Sequence, residues 1–149
     1  MRAFVTAGAG FLLAVLWFDL MFDVQVLKRP ERELPDEVLA SIAGYYRRVT
    51  TTARPMNRLV AAVMLATIVA IVLEITAGTQ ATWVPWTSLG LALAPILLAG
   101  LHTVSCAVRL GARADPPERQ SSLARAVLRD HLLCIASIAA VLAVQLSAG

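Results

Sequence analysis

Four long apolar runs constrain this sequence more than any other feature. They occupy approximately residues 4–27, 56–77, 86–110 and 130–147, and the charged residues are largely confined to the segments between them. About 20 consecutive apolar residues are enough for a helix to cross the hydrocarbon core of a bilayer. The sequence therefore predicts an all-α fold, an integral membrane four-helix bundle formed by a single transmembrane domain over residues 1–149.

The composition agrees with a membrane protein. Apolar residues make up 58% of the chain and charged residues 15%, whereas soluble globular proteins average about half apolar and about a quarter charged residues. The net charge is +3. The basic residues flank the apolar runs and are not interleaved with aromatic residues, so we expect the lipid bilayer as the partner and no nucleic acid.

The basic residues also predict the orientation. Apart from Arg2, every Lys and Arg lies in or beside the loops 28–55 and 111–129. The positive-inside rule places both loops in the cytoplasm and both termini on the non-cytoplasmic side of the cell (inner or plasma) membrane. Cys106 and Cys134 then lie near the reducing side, and we expect free thiols.

The first loop contains a pattern typical of a short amphipathic helix. Asp36 after Pro35 is a suitable helix start because its carboxylate can cap free N–H groups. Apolar residues then recur at helical spacing: Val38, Leu39, Ile42, Tyr45, Tyr46 and Val49. We predict an interfacial helix between the first two spans. Gly78 is expected to end the second span, and Pro95 to kink the third.

Polar residues inside the spans gather near their cytoplasmic ends, whereas Glu74 is expected near the opposite side. The gathered residues are Asp19, Asp23, His102, Cys106, Asp130, His131 and Cys134. A charged side chain at the centre of a span costs about 2.5–3.5 kcal/mol on insertion scales. Such residues usually face the interior of a bundle or water. A functional site, if the protein has one, is predicted at this level.

Two His–Cys pairs share helix faces in this region. His102 and Cys106 are four residues apart, and His131 and Cys134 are three apart. Two imidazoles and two thiolates form a tetrahedral set that zinc or copper accepts. These four residues are therefore candidate ligands of a transition metal, with haem as a further candidate. The alternative is that they make hydrogen bonds between helices or pack as small side chains.

Asp19 lies about two turns inside the cytoplasmic boundary of the first span, beside Trp17 and Phe18. A buried carboxylate needs a partner or a raised pKa, and the candidate partners are Arg58, His102 and His131. Asp19, His102 and His131 are thus candidate acid–base catalytic residues. The alternative for Asp19 is a side chain that reaches water where the lipid thins. No nucleotide-binding or hydrolase motif is present in the sequence.

Three segments carry a resemblance to a known family: Ala7-Gly8-Ala9-Gly10-Phe11, Ala53-Arg54-Pro55-Met56 and Arg129-Asp130-His131. With the overall layout, they make the chain similar to small four-helix bacterial membrane proteins of the anthrone-oxygenase-like group. The resemblance implies oxidation of polycyclic aromatic substrates without an obvious cofactor. It assigns no site residue.

Three functions remain open. The first is a structural, binding or accessory membrane component, such as a homo-oligomer or the partner of another membrane protein. It predicts a satisfied polar cluster, no cavity, and packing through Gly8 and Gly10. The second is an oxidoreductase or oxygenase-like enzyme for a lipophilic substrate. It predicts a lipid-accessible pocket lined by Trp17 and Phe18. The third is a metal- or haem-binding protein.

Overall fold

The computed structural model describes residues 1–27, 29, 31–52, 54–78 and 80–147, and within these ranges it consists of helices joined by short turns, with no strand. The α-helices are α1 (Arg2–Asp23), α2 (Asp36–Arg47), α3 (Arg54–Ala77), α4 (Trp83–Leu98), α5 (Val104–Ala112) and α6 (Pro117–Ser147). A 3-10 turn at Val24–Val26 follows α1. Two π-helical segments, Arg48–Thr52 and Ala99–Thr103, come between α2 and α3 and between α4 and α5.

Four helical stretches are long and apolar enough to cross a membrane, which confirms the predicted number of apolar helices. They are Arg2–Val26, Met56–Ala77, Trp83–Ala112 and Pro117–Ser147. The second has the predicted bounds. The third begins three residues earlier than predicted because Trp83, expected in the preceding loop, already belongs to the helix.

The predicted loop 111–129 is wrong for most of its length. Helix α6 begins at Pro117 and continues without interruption for 31 residues. Proline suits the first position of a helix because its missing N–H would have no partner there and its φ is preset. Glu118 in the first turn suits the positive end of the helix dipole. The pair Pro116-Pro117 therefore starts a helix, and Asp130 lies inside α6 instead of capping it.

The predicted amphipathic helix is present as α2. Asp36 and Glu37 lie in its first turn and Arg47 in its last, as the helix dipole favours. Its buried face packs on α5 and α6, where Ile42 joins one apolar core with Leu110 and Val127. Helix α2 is therefore covered by protein along its apolar face. Its position relative to a membrane interface stays a prediction.

A glycine permits the close approach of α2 to α5. A Cβ added at Gly111 would lie 2.8 Å from the backbone N of Arg47 and 3.0 Å from its Cα. Both are backbone atoms, so a larger residue would push the two helices apart. The side chain of Arg47 also donates a hydrogen bond to the carbonyl of Gly111, at 3.2 Å.

The second apolar core lies between α1, α3, α4 and the second half of α6. Gly8 faces Thr67 so closely that a Cβ would collide with the threonine side chain, which confirms a packing role for Gly8. Gly10 is exposed, and no neighbour lies near it among the described residues. Gly78 ends α3 with φ of +60° and donates its N–H to Glu74, as predicted.

Pro95 lies within α4, and the backbone does not break there. The π-helical segment Ala99–Thr103 begins four residues later, and the kink at Pro95 stays a prediction. A wider π turn shifts the helical register, and such turns are frequent at functional sites. His102 and Thr103 lie in this turn, and both contact α6 through Asp130.

Candidate functional site

Two consecutive residues of α6 connect it to different helices. Asp130 is fully buried, and its Oδ2 accepts hydrogen bonds from His102 Nδ1 at 2.6 Å and from Thr103 Oγ1 at 2.9 Å. Its Oδ1 accepts a bond from Arg129 at 3.2 Å. Asp130 therefore holds the π turn of the third membrane-length helix against α6.

His131, the next residue, reaches across to α1. Its Nδ1 lies 2.6 Å from Asp23 Oδ2, so the imidazole donates its proton to a buried carboxylate. Asp23 is 1% exposed, and its Oδ1 accepts a second hydrogen bond from the Tyr46 hydroxyl at 2.6 Å. Asp23 thus joins α1, α2 and α6.

Asp19 of α1 is hydrogen-bonded to a residue of the adjacent helix α2. The Tyr45 hydroxyl donates to Asp19 Oδ1 at 2.5 Å. Phe22 stacks on Tyr45 with ring centroids 4.1 Å apart and planes within 9°. Tyr45 and Tyr46 meet edge to face at 5.2 Å. The tyrosine pair of α2 thus holds both carboxylates of α1.

The surroundings of these phenols disfavour their ionised form. Burial, and then the hydrogen bond to Asp19, raise the pKa of Tyr45 well above its ordinary value. Burial and the charge of Asp23 do the same to the pKa of Tyr46. Both hydroxyls therefore remain donors to the carboxylates over the physiological range.

The sequence predicted that these polar residues gather near the cytoplasmic ends of the spans, but it did not predict the tyrosines that bond to Asp19 and Asp23. Tyr45 was not among the three partner candidates for Asp19, and Tyr46 was not considered for Asp23. One signal was available: two adjacent tyrosines on a short amphipathic helix, where at least one hydroxyl needs a buried acceptor. The carboxylates that the two histidines contact, Asp23 and Asp130, were both among the polar residues predicted near the cytoplasmic ends of the spans.

A cavity of about 940 Å³ lies beside this cluster. Side chains from α1, α2, α3, α4, α5 and α6 line it, and most of them are apolar. The polar lining residues include Asp19, Tyr45, Tyr46, Thr103, His131 and Cys134. Because Asp19 and His131 contact α2 and the adjacent part of α1, these polar groups mark the end of the cavity near α2.

Two of the three candidate acid–base residues line this cavity. Asp19 and His131 line it, whereas His102 is not among its described lining residues and bonds to Asp130 instead. Phe18 lines the cavity as predicted. Trp17, predicted beside it, is 64% exposed and lies outside the described lining.

The predicted four-ligand set is not assembled. Cys106 Sγ lies 3.6 Å from His102 Nε2, but His131 Nδ1 bonds to Asp23, and Cys134 is buried in the wall of the cavity. In the described ranges no three His, Cys, Asp or Glu side chains are arranged to hold a metal ion. Both cysteines are free and buried, as expected. A metal or haem at these residues stays a prediction without support from the geometry.

Glu74 belongs to a separate polar group. Its Oε2 accepts a hydrogen bond from Gln145 Nε2 at 3.0 Å, and the same amide donates to Ser88 Oγ at 3.1 Å. All three residues are buried. Arg2 donates to the carbonyls of Gln145 and Leu146, so this group lies beside the chain termini, away from the cavity's polar end.

Comparison of the chain with protein-family models, with curated proteins and with solved structures finds no match.

Proposed function

We propose that the protein is a multi-pass membrane protein of the cell membrane that binds a lipophilic small molecule beside Asp19 and His131. The cavity carries this proposal. Its volume of about 940 Å³ falls within the range of about 300–1,000 Å³ that small-molecule sites occupy. Apolar walls with a few polar groups at one end are the usual composition of such sites.

Exposed apolar side chains support insertion in a membrane. Leu101 is 82% exposed, Phe4 69% and Leu65 65%, and these residues come from three different membrane-length helices. Soluble monomers rarely expose apolar patches larger than a few hundred Å². Lipid would cover these side chains, and the helices satisfy their backbone hydrogen bonds internally, as a bilayer requires.

Contacts between the two basic loops support a common side for both. Arg32 pairs with Glu118 at 2.5 Å, and Arg113 pairs with Asp36. Arg125 donates to the carbonyls of Arg29, Glu31 and Arg32. The positive-inside rule then assigns this side to the cytoplasm.

Single introduced cysteines test the orientation. We expect Thr82→Cys to react with a membrane-impermeant maleimide in intact cells, and Arg119→Cys to react only after permeabilisation. Both positions are exposed, and the native Cys106 and Cys134 are buried, so the unmodified chain is the background control. The reverse labelling pattern would overturn the orientation.

A purely structural role fits the cavity poorly. Protein interiors are close-packed, and voids much larger than a water molecule are few. The structural hypothesis also predicted a satisfied cluster with no cavity beside it. The cluster is indeed held by hydrogen bonds, but Asp19 and His131 still border an open space. Binding of a small molecule accounts for both features.

Equilibrium binding of a neutral fluorescent lipophile tests this proposal. Dansylbutylamide would be titrated into protein in phosphatidylcholine nanodiscs and followed by fluorescence anisotropy, with empty nanodiscs as the background. We expect saturable binding above the background. Ala61 lines the cavity, and Ala66 is exposed on the same helix outside the described lining.

These two alanines give a matched pair of variants. Ala61→Phe would occupy cavity volume, and we expect it to weaken binding about tenfold, which corresponds to about 1.4 kcal/mol. Ala66→Phe adds the same side chain outside the cavity and should leave the affinity unchanged. Non-saturable uptake, equal in both variants and in empty nanodiscs, would overturn the proposal.

A second candidate function is proton transfer on the bound molecule, an enzymatic activity. The observation that favours it is the pairing of His131 with Asp23. A carboxylate that holds Nδ1–H orients an imidazole so that Nε2 can accept a proton, the arrangement used by many general bases. His131 also lines the cavity, so its ring is within reach of a bound ligand.

Deuterium exchange into anthrone tests this candidate without any cofactor. Anthrone carries acidic methylene protons, and NMR would follow their exchange in D₂O with protein in nanodiscs. We expect catalysed exchange that is lost in His131→Gln and kept in His102→Gln, since His102 is outside the described lining. Exchange at the uncatalysed rate would count against the enzyme. Membership of the anthrone-oxygenase-like group itself stays a proposal.

A further inference from the structure

We infer that the cavity selects a lipophilic cation, with the carboxylate of Asp19 as the recognising group. This inference rests on the proposed function, because it specifies the chemical class of the molecule that the cavity binds. The charge of the lining is the first observation. Asp19 carries the formal charge of the described lining, His131 is titratable, and no Lys or Arg is found among those lining residues.

When Asp19 and Asp23 are both ionised, the pairing of the cluster leaves this end of the cavity negative. His131 and Asp23 are bonded to each other at 2.6 Å, so a protonated His131 is balanced by its own carboxylate. With both carboxylates ionised, Asp19 then leaves one net negative charge. With a neutral His131, the local charge is more negative still. An anionic ligand would be repelled in either state, and the effect is strong in an apolar environment.

The carboxylate of Asp19 can accept a further hydrogen bond or ion pair. Its Oδ1 accepts the Tyr45 hydroxyl, whereas Oδ2 has no hydrogen-bond partner within the described part of the chain. Asp19 is half-buried and lines the cavity. The hydroxyl of Tyr45 and its stacking on Phe22 hold the carboxylate in place, so binding would not need to order it.

Three aromatic residues also belong to the lining of the cavity. These are Phe18, Tyr45 and Tyr46. Phe18 precedes Asp19 in the chain, Tyr45 is the hydrogen-bond partner of Asp19, and Tyr46 follows Tyr45. Cations are attracted to the faces of aromatic rings within about 6 Å. A carboxylate held by Tyr45, in an apolar lining that includes three aromatic rings, is complementary to an ammonium or similar group on an apolar body.

Three dansyl probes with one fluorescent body test this selectivity. They are cationic dansylcadaverine, neutral dansylbutylamide and anionic dansylglycine, each titrated in nanodiscs of zwitterionic phosphatidylcholine. Binding to empty nanodiscs is subtracted. We expect the cation to bind at least about tenfold more tightly than the neutral probe, and the anion to bind most weakly.

Variants then locate the source of the preference. Asp19→Asn should reduce the affinity for the cation to that for the neutral probe, measured on the same variant. Asp19→Glu should keep the preference for the cation. Glu37→Gln removes an acidic group from an exposed site on α2, and it should change nothing. The ranking of probes on the wild-type protein needs no variant and remains decisive if Asp19→Asn misfolds.

The outcomes separate this inference from the proposed function. Saturable binding of all three probes with equal affinity, or tightest binding of the anion, would overturn the cation selectivity and leave the lipophile site intact. A preference for the cation that persists in Asp19→Asn would overturn the assignment of Asp19. Absence of saturable binding by every probe would overturn both proposals.

Discussion

His131 Nδ1 lies 2.6 Å from Asp23 Oδ2, and this contact joins the first and last helices across 108 residues of sequence. Both side chains are almost fully buried. The adjacent Asp130 bonds to His102 on the third membrane-length helix. Two carboxylate–imidazole contacts at neighbouring positions of α6 thus connect it to α1 on one side and to the π turn on the other.

The two histidines should differ in their effect on stability. His131→Ala leaves the buried Asp23 with only Tyr46, and removal of one partner from a buried charged pair typically costs about 3–5 kcal/mol. His102 is 43% exposed at its side chain, and Asp130 retains Thr103 and Arg129. We expect His102→Ala to cost only about 1–2 kcal/mol. SDS-induced unfolding of the detergent-solubilised protein measures both, and equal losses would contradict this difference.

The two tyrosines of the chain should resist ionisation in the folded protein. Absorbance near 295 nm reports tyrosinate, and Tyr45 and Tyr46 have raised pKa values because of burial and nearby carboxylates. We expect no tyrosinate until the pH is well above about 10, the ordinary tyrosine pKa. The SDS-unfolded protein is the control and should titrate near that value. Ionisation of the folded protein near the ordinary pKa would show that the phenols are not held as described.

The raised pKa values of the two tyrosines also make the stability of the fold depend on pH. A group whose pKa is higher in the folded than in the unfolded state stabilises the fold fully below its unfolded pKa. As the pH rises above about 10, the unfolded chain loses its phenolic protons first. The free energy of unfolding should therefore decline from that pH towards the folded pKa. Tyr45→Phe should make this decline shallower, and an unchanged slope would argue against a contribution from Tyr45.

Gly111→Ala should separate α2 from α5. Its Cβ would lie 2.8 Å from the backbone N of Arg47, and overpacking of this kind typically costs about 1–3 kcal/mol. The matched control is Gly90→Ala, since no neighbour in the described part of the chain lies within 4 Å of a Cβ there. Alanine also favours a helix over glycine, so this control should be neutral or slightly stabilising. Thermal unfolding compares them, and equal melting temperatures would show that α2 moves without cost.

Metal content tests the predicted ligand set. The described residues provide no group of three or more ligands, so we expect less than one zinc, copper or iron per purified chain. Elemental analysis and a visible absorption spectrum make this measurement. One metal or haem per chain, lost in Cys134→Ser, would contradict that expectation and favour the metal-binding hypothesis.

Hydropathy was sufficient to find the membrane-length helices but not their full extent. The second span has the predicted bounds because its apolar run ends at Gly78, whose left-handed φ ends the helix. The start of α6 was predicted too late, with a helical turn from Ser121-Ser122 and the span itself from Asp130, because residues 117–122 are polar and hydropathy does not distinguish a polar helix from a loop. The position of Pro117 and the acidic Glu118 carried the helix signal there.

The sequence predicted at which depth of the helices the candidate site lies, but not which side chains are paired there. Asp19 and Asp23 are four residues apart and therefore share one face of α1, but a shared face does not give the rotation of a helix relative to its neighbours. Those rotations decide that Asp23 meets His131 and that Asp19 meets Tyr45. A pocket lined by Trp17 and Phe18 was predicted only under the enzyme hypothesis, and of these two residues only Phe18 is in the lining. The rest of the lining comes from apolar side chains of several helices, which carry no motif.

Photo-crosslinking tests the central claim, that a lipophile occupies the cavity beside Asp19, most directly. Protein in nanodiscs would be irradiated with the neutral photoreactive lipophile trifluoromethyldiazirinyl-benzyl alcohol, and tandem mass spectrometry would locate the adducts. We expect adducts on peptides that carry Asp19 and His131, and we expect excess dansylbutylamide to suppress them. Adducts confined to exposed positions such as Leu101 and Leu65, and unaffected by the competitor, would contradict the claim.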